Sequence, residues 1–516
     1  MKIYSFSPFG YEGSLVSIEV DVRRGIPAVD IVGLADGAVK ESRERMRSAI
    51  RNSGYEFPPE RVLISLSPAD LKKEGAGFDL AIALAVLQAR LSQDEEKEPQ
   101  EEEPVLVMGE LELSGLVRGV RAVNAAASTA SALGIKKCII PRANITEARG
   151  VDGIKIFGAE TLKEAYEALC HQDSFYPTGK AEGTEEKSYG PTFSPYVEEE
   201  DFAFVKGQEF LVRGLQIAAA GGHNLLAFGP PGCGKTLALM RFKSLLPDLT
   251  QEESLSATRI HSIAGLLAKD TTLIKVPPFR QPHQSASIEG MCGGGSHCMP
   301  GEISIAHNGV LFLDEAAEFR TSVLQMLRVP LETGAVTLSR AGRSTTYPAL
   351  FQLLMATNPC PCGCFGSKDK LCLCSSHAIE QYWKKFSGPL LDRIDIRVHV
   401  QSVSRDEGKK SRSTEELRKD IGRAVLIQRK RQGIKNARLT APLIKKFCPL
   451  TKEAEGFLDS QCEKNSFSSR AKASCIKLSR TIADMEQKEM IGLEHVMEAV
   501  AYRKTQGGLE MEFSNA

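Results

Sequence analysis

The chain has 516 residues, enough for about three domains of ordinary size. Its composition, 42% hydrophobic and 25% charged with one Trp, is that of a globular protein and excludes a disordered chain or a fibre. Lys plus Arg (65) equals Asp plus Glu (65), so net charge does not advertise a nucleic-acid partner and leaves only a local basic patch open.

The sequence lacks a run of about 18 apolar residues free of charge, which excludes a membrane-spanning helix. The opening MKIYSFSPFG lacks a basic stretch followed by an apolar one, so it does not read as a signal peptide. A cytoplasmic chain without a membrane partner is expected. Thirteen cysteines in a reducing compartment read as metal or redox chemistry wherever they cluster.

Residues 14–22 (SLVSIEVDV) alternate as a strand does. Residues 36–53 carry apolar positions at helical spacing, with Asp36 as N-cap. VLISLSP (62–68) and VLVMGEL (105–111) read as strands, and FDLAIALAVLQARL (78–91) as a buried helix. Residues 92–104, acidic and free of apolar side chains, read as an exposed loop. The first domain then spans 1–171, and 172–200, rich in Gly, Pro, Ser and Glu, reads as a linker. An α/β domain is expected over 201–400, with strands at 224–228, 310–313 and 351–356, and a helical domain over 401–508.

The strongest motif is Gly229-Pro230-Pro231-Gly232-Cys233-Gly234-Lys235-Thr236, a match to G-x-x-x-x-G-K-[ST]. Its flanks fit: NLLAF (224–228) is a strand and LALMRFKSLL (237–246) starts a helix. Glycines let backbone N–H groups close around phosphate oxygens, Lys235 reaches the outer phosphates, and Thr236 holds Mg²⁺. ATP and Mg²⁺ are therefore the expected ligands. Val310-Leu311-Phe312-Leu313 makes a buried strand ending in two carboxylates, Asp314 to orient Mg²⁺ and Glu315 to polarise water. A third strand, FQLLMATN (351–358), ends in Asn358, placed to position the lytic water. Arg393, in SGPLLDRIDI (387–396), suits a residue that stabilises transition-state charge in a neighbouring subunit; a local ion pair with Asp392 or Asp395 is the alternative. Arg470, at the start of a helix, is the candidate γ-phosphate contact from the helical domain of the same chain, and a solvated arginine is its alternative.

These strings resemble the YifB/ComM family of magnesium-chelatase-like AAA+ ATPases. The likeness is carried by VKGQEFLVRGLQIAAAGGHNLLAFGPPGCGKT (205–236), PFRQPHQSASIEGMCGGG (278–295), PGEISIAHNGVLFLDEAAEF (300–319) and ATNPCPCG (356–363). It extends to GLADGAVKESRERMRSAI (33–50) and PADLKKEGAGFDLAIALAVL (68–87). The resemblance implies an α/β multidomain chain: an N-terminal α+β domain like the catalytic domain of Lon protease, an AAA+ P-loop core of the helix-2-insert class, and a C-terminal helical lid. It further implies a homo-oligomer, a hexameric ring, that acts on DNA as a helicase or branch-migration factor, in recombination or in uptake of transforming DNA. Two departures stand out. The family usually has two adjacent histidines where this chain has His283-Gln284, and Glu-Leu-Pro-Glu where it has Glu315-Ala316-Ala317-Glu318.

Other segments carry weaker signals. Cys360-Pro361-Cys362-Gly363-Cys364 and Cys372-Leu373-Cys374 bring five thiols into 15 residues. Cys360, Cys362, Cys372 and Cys374 form a tetrahedral set for structural Zn²⁺, with Cys364 as an extra and His377 as a substitute ligand. A reduced thiol-rich loop is the alternative. Residues 331–350 read as a hairpin turning at Ala341-Gly342, with Arg340 and Arg343 at its tip to meet DNA phosphates; solvated turn arginines are the plain reading. Arg280–Gly295 reads as a second pore loop. Residues 405–438 carry 12 Lys or Arg against 5 Asp or Glu, a DNA-binding candidate or a solvated basic face.

Three function classes follow: a DNA motor, a chelatase-like subunit, or a protein-remodelling or proteolytic ATPase. A Lon-type protease needs a nucleophilic serine where this chain has Gly75-Ala76-Gly77-Phe78-Asp79, and Lys72 and Lys73 have no serine beside them. A non-catalytic N-terminal platform is expected instead.

Overall fold

The computed structural model describes residues 2–69, 71, 73, 75–94, 103–171, 175–177, 190–268, 271–295, 297–340, 343–366, 370–401 and 412–504. The N-terminal part is an eight-stranded mixed sheet. Its order is Tyr176–Pro177, Lys155–Ala159, Lys137–Pro141, Pro104–Val107, Lys2–Ser7, Ser14–Arg23, Arg61–Ser67, Val29–Val32. The helix Gly37–Asn52 begins where Asp36 accepts a hydrogen bond from the Val39 N–H at 2.8 Å. The helix Asp79–Asp94 is sheathed on all sides, Leu80 to Leu84 being fully buried. Its first residue, Asp79, is buried and paired with Arg45 at 2.7 Å. Burial raises the Asp79 carboxyl above its usual range, and the Arg45 guanidinium opposes that rise. The position that a serine nucleophile would need is thus occupied by a structural ion pair.

Two expected boundaries move. The helix runs on to Asp94 and a strand begins at Pro104, so both ends of the expected 92–104 loop are regular structure, while 95–102 lie outside the described residues. The expected strand 105–111 stops at Val107 and a separate strand takes Glu110–Leu111. Most of the expected linker also lies outside the described residues. Its far end is docked: Ser194 bonds Asp248, and the Arg418 guanidinium lies over the Phe193 and Tyr196 rings.

The second sheet is all parallel, in the order Phe279–Arg280, Val310–Leu313, Gln352–Thr357, Leu225–Phe228, Ile396–His399. Its three central strands are buried at every residue, as a parallel sheet covered on both faces requires. The helices Glu209–Gly221 and Thr414–Arg431 cover one face, and Trp383, Phe386 and Phe319 pack on the other.

The helical domain is tied to this sheet by polar groups at the amino ends of the strands. His223 bonds Asp395 at 3.3 Å and Thr481 at 2.8 Å, and Ser474 donates to Asp395. Burial opposes the Asp395 charge, yet bonding to His223 and Ser474 holds its carboxyl at about 2. Asp484 is buried and collects Arg431, Arg480 and Asn436. Part of the basic stretch does internal work: Arg418, Arg429 and Arg438 cap the carbonyls of Ser244, Asp248 and Leu350. Arg412 and Arg423 pair with Asp420 at the surface, where Lys419 and Lys430 are also exposed; 405–411 lie outside the described residues.

The two domains meet along the helix Gln251–Ala264, where Gln251 donates to Asp152 and Ser262 to Glu147, and through the loop around Tyr11. The Tyr11 and Ser256 hydroxyls share a hydrogen bond at 3.1 Å, and the Tyr11 N–H donates to Thr345 at 3.2 Å. Arg259, on the helix Gln251–Ala264, stacks on the Tyr11 ring and donates to the carbonyls of Tyr11 and Glu12 and to Thr129, all within 3.0 Å. Gly10 sits at φ +65, and a Cβ there would overlap the Thr345 hydroxyl at 1.7 Å. We expect Arg259→Ala to weaken this docking by about 1–3 kcal/mol, the loss of charged-donor bonds to half-buried acceptors. Hydrogen exchange at residues 9–13 should accelerate while the helix Ser469–Met485 stays protected. Equal acceleration in both places would contradict a local clamp.

Candidate nucleotide site and cysteine cluster

The P-loop connects Phe228, the carboxyl end of a central strand, to a helix that starts at Lys235. Gly232 and Gly234 lie at φ +79 and +88, backbone states that let successive N–H groups turn inward. The Lys235 ammonium lies across the mouth of the loop, donating to the carbonyls of Gly229 and Pro230 at 2.7 and 2.8 Å. Burial pulls its pKa below the ordinary lysine value, and the nearby Cys233 and Asp314 oppose that fall. The helix is shorter than expected: α-helix ends at Met240 and a tighter turn takes Arg241–Leu245. Arg241 donates there to the Glu199 carbonyl and Ser244 to the Arg241 carbonyl, and Pro247 stops the helix.

The strand Val310–Leu313 delivers Asp314 beside the P-loop, where its carboxylate accepts from the Thr236 hydroxyl at 3.1 Å. These are the two groups a Mg²⁺ on the phosphates would use. Glu315 follows at φ +48, a left-handed conformation costing about 1–2 kcal/mol for a residue with a Cβ. That turn swings its carboxylate out of the strand line into an exposed position. Asn358 ends the adjacent strand, and its side chain lies within 4 Å of the Cβ direction of Gly363, next to Pro231. The five residues meet at one edge of the sheet, the carboxyl ends.

One partner is invisible in the motif. Buried Gln208 donates its amide to the Cys233 carbonyl inside the P-loop and to the Gln401 carbonyl, each at 3.0 Å. It ties the loop to the end of the last strand. Its only sequence signal is a Gln just ahead of a helix.

Arg393 and Arg470 lie elsewhere. The Arg393 carbonyl accepts from Asn224, the residue before the P-loop strand, at 2.9 Å, so Arg393 sits at the amino ends of the strands. Arg470 bonds Glu332 at 2.7 Å, and the same carboxylate holds Arg393. The helix Ser469–Met485 that carries Arg470 is anchored along this edge by Asp395 and His223. The expectation that Arg470 contacts the γ-phosphate of its own chain is therefore not met: its helix lies at the sheet edge away from the P-loop. The alternative pairing of Arg393 with Asp392 or Asp395 is not formed; its carboxylate partner is Glu332.

The four sulfurs of Cys360, Cys362, Cys372 and Cys374 lie within 4.8 Å of one another. Three of the separations are 3.4, 3.7 and 3.6 Å. Zn–S bonds of about 2.3 Å in a tetrahedron set sulfurs ~3.8 Å apart, so the set fits zinc. Backbone N–H groups of Cys364 and Phe365 point at the Cys362 and Cys360 sulfurs at 3.5 and 3.3 Å, as donors to thiolates do. The Cys364 N–H and the neighbouring thiols bring the Cys362 thiol down to about 6. Cys364 and His377 are outside the set. The hairpin is present as Ala335–Arg340 against Arg343–Pro348, with Arg340 exposed. The turn 341–342 and the Arg343 side chain lie outside the described residues. In the Arg280–Gly295 segment, Arg280 is held by Glu302 and His283 bonds Ser285.

Sequence profiles of the magnesium chelatase subunit ChlI match residues 18–144 and 201–408, and the ChlI C-terminal profile matches 411–503. The uncharacterised protein YifB of Escherichia coli K12 is 38% identical over 507 residues, covering 97% of this chain and 96% of that protein. The competence protein ComM of Haemophilus influenzae is 37% identical over 508 residues, 97% of each chain. This chain belongs to the YifB/ComM family of magnesium-chelatase-like AAA+ ATPases. The magnesium-chelatase 38 kDa subunit of Rhodobacter capsulatus is 25% identical over 174 residues, 31% of this chain and 50% of that one. Among the described residues, no helix is long and apolar enough to cross a membrane.

Lys235→Ala should abolish nucleotide binding, whereas Glu315→Gln should retain it and lower hydrolysis by about 10²–10⁴-fold. Fluorescent-nucleotide titration beside steady-state phosphate release separates the two. Identical behaviour of both variants would remove the assigned division of labour.

Proposed function

We propose that this chain is the subunit of a cytoplasmic homo-oligomeric ring, a hexamer, that hydrolyses ATP to move DNA strands as a helicase or branch-migration factor. The P-loop amides and Lys235 hold the phosphates, while Thr236 and Asp314 hold Mg²⁺. The ion neutralises charge on the transferred phosphoryl group. Glu315 polarises the attacking water and Asn358 orients it. Arg393 and Arg470 both serve the site of a neighbouring subunit. The observation that carries the ring is the placement of these two arginines at the sheet edge opposite the P-loop.

The N-terminal part acts as a platform with a Lon-protease-like fold and no nucleophile of its own. The core is of the helix-2-insert class, with 279–300 as the insert after the helix Gln251–Ala264. DNA meets the ring at the hairpin tip, through Arg340 and Arg343. The name competence protein, borne by the Haemophilus relative, agrees with a role in DNA uptake or recombination. The chelatase-like reading is favoured less because the alignment to the Rhodobacter 38 kDa subunit covers 31% of this chain, against 97% for the YifB and ComM proteins. A remodeller of protein substrates would share the same ATP site and differ at the hairpin.

Steady-state ATPase should rise several-fold with single-stranded, duplex or four-way-junction DNA, and Arg340→Ala should flatten that response while leaving the DNA-free rate intact. A rate indifferent to all three DNAs would move the assignment to a chelatase-like or protein-remodelling ATPase.

The four-cysteine set holds a structural Zn²⁺ that fixes the loop between Asn358 and the helix Ser376–Lys384. Purified protein should contain about one zinc per chain. Cys360→Ser combined with Cys372→Ser should remove it and weaken nucleotide binding. Metal-free protein with full activity would assign the cluster to a reduced thiol loop.

A further inference from the structure

Glu332 lies in a short helix, Arg328–Thr333, two residues before the Gly334 turn that opens the hairpin. Its two carboxylate oxygens are divided: one takes Arg393 and the other takes Arg470 at 2.7 Å. Arg393 is nearly buried, at 10% exposure, and its other terminal nitrogen donates to the Pro389 carbonyl at 2.6 Å. Arg470 and Glu332 are half exposed, at 46% and 52%. The two arginines hold the Glu332 carboxyl below the usual carboxylate range, Arg393 foremost. Two cations from different domains, 77 residues apart in sequence, thus converge on one exposed carboxylate at the base of the hairpin.

We propose that Glu332 is a positioning residue, a counter-charge that holds Arg393 and Arg470 together and is exchanged for the γ-phosphate of a neighbouring subunit when ATP closes the interface. This rests on the reading that both arginines act in the neighbour's site. A guanidinium cannot direct the same N–H groups at Glu332 and at a phosphate, so the carboxylate competes with the nucleotide. The exchange also has a mechanical consequence. Glu332 is three residues from Ala335, the first residue of the hairpin, so release of its two partners frees the hairpin base on the side away from Tyr11 and Thr345. Glu332 therefore couples nucleotide state to the segment that Arg340 carries.

The test is Glu332→Gln, which keeps size but removes the charge and one of the two acceptor oxygens, with Glu332→Asp as the conservative control. Light scattering reads ATP-dependent assembly of the full chain. Glu332→Gln should lower the ATP concentration for half-assembly by about two- to fivefold, the range that exposed ion pairs supply. The difference should vanish in about 1 M salt, which screens the competing pair. The DNA-stimulated fraction of ATPase should fall with it, and Glu332→Asp should behave as the unaltered protein. An unchanged or raised ATP requirement in Glu332→Gln would overturn the proposal. The underlying reading fails separately: mixing Lys235→Ala subunits with Arg393→Ala subunits should restore hydrolysis at mixed interfaces. No restoration would mean that the arginines do not act across subunits.

Discussion

The four-residue strand Leu225–Phe228 sets the geometry on which the rest depends. Its carboxyl end opens the P-loop, and Asn224 at its amino end is bonded to the Arg393 carbonyl. At ~3.3 Å per residue the two ends are roughly 10 Å apart before any side chain is added. Every parallel neighbour repeats that polarity, so phosphate-binding groups collect at one edge and the arginines at the other. A subunit built this way presents two different half-sites on two different surfaces. Joining unlike surfaces is a heterologous contact, which closes into a ring when the rotation permits. The proposed ring thus follows from strand direction as much as from any single residue.

Rigidity around this sheet is bought with charge rather than with apolar surface alone. The helical domain meets the amino ends through Asp395, His223 and Thr481, and through the cluster on Asp484. Groups this deep are costly unless fully paired, and here they are paired many times over. The hairpin is different. Its returning strand is gripped by Tyr11 of the N-terminal part, and the helix before its first strand is held by the arginines on Glu332. Its tip has no such restraint among the described residues.

Local chemistry was legible in the sequence, and pairing across the chain was not. The P-loop, the strand ending in Asp314 and Glu315, the Asp36 cap and the hairpin all rest on residues close in sequence, where period and turn chemistry decide the outcome. The arginine-rich stretch was left open because charge content does not say where the partners are: Asp420 is nearby, but the carbonyls of Ser244 and Leu350 are far away in sequence. Arg470 was misassigned for the same reason. Nothing near position 470 indicates that its helix will lie along the amino edge, since His223 and Asp395 make that choice. Glu332, inside an ordinary helical stretch, carries no local signal at all.

The cysteine cluster lies between these extremes. Its spacing was legible, but what it touches was not. From Pro359 to Ser375 the described chain forms no helix or strand, so ordinary backbone hydrogen bonding does little to order it. Yet this stretch carries Gly363, whose Cβ direction meets the Pro231 ring at 2.9 Å, and it follows Asn358 directly. A loop packed against a P-loop proline and joined directly to Asn358 gains order from a cross-link. Four sulfurs at tetrahedral separations, two of them receiving backbone N–H groups, are arranged to supply one through a metal ion. Gly363 then has a clear reason to be glycine. At φ +78, packed on Pro231, any side chain would push the metal loop off the nucleotide site it is placed to support.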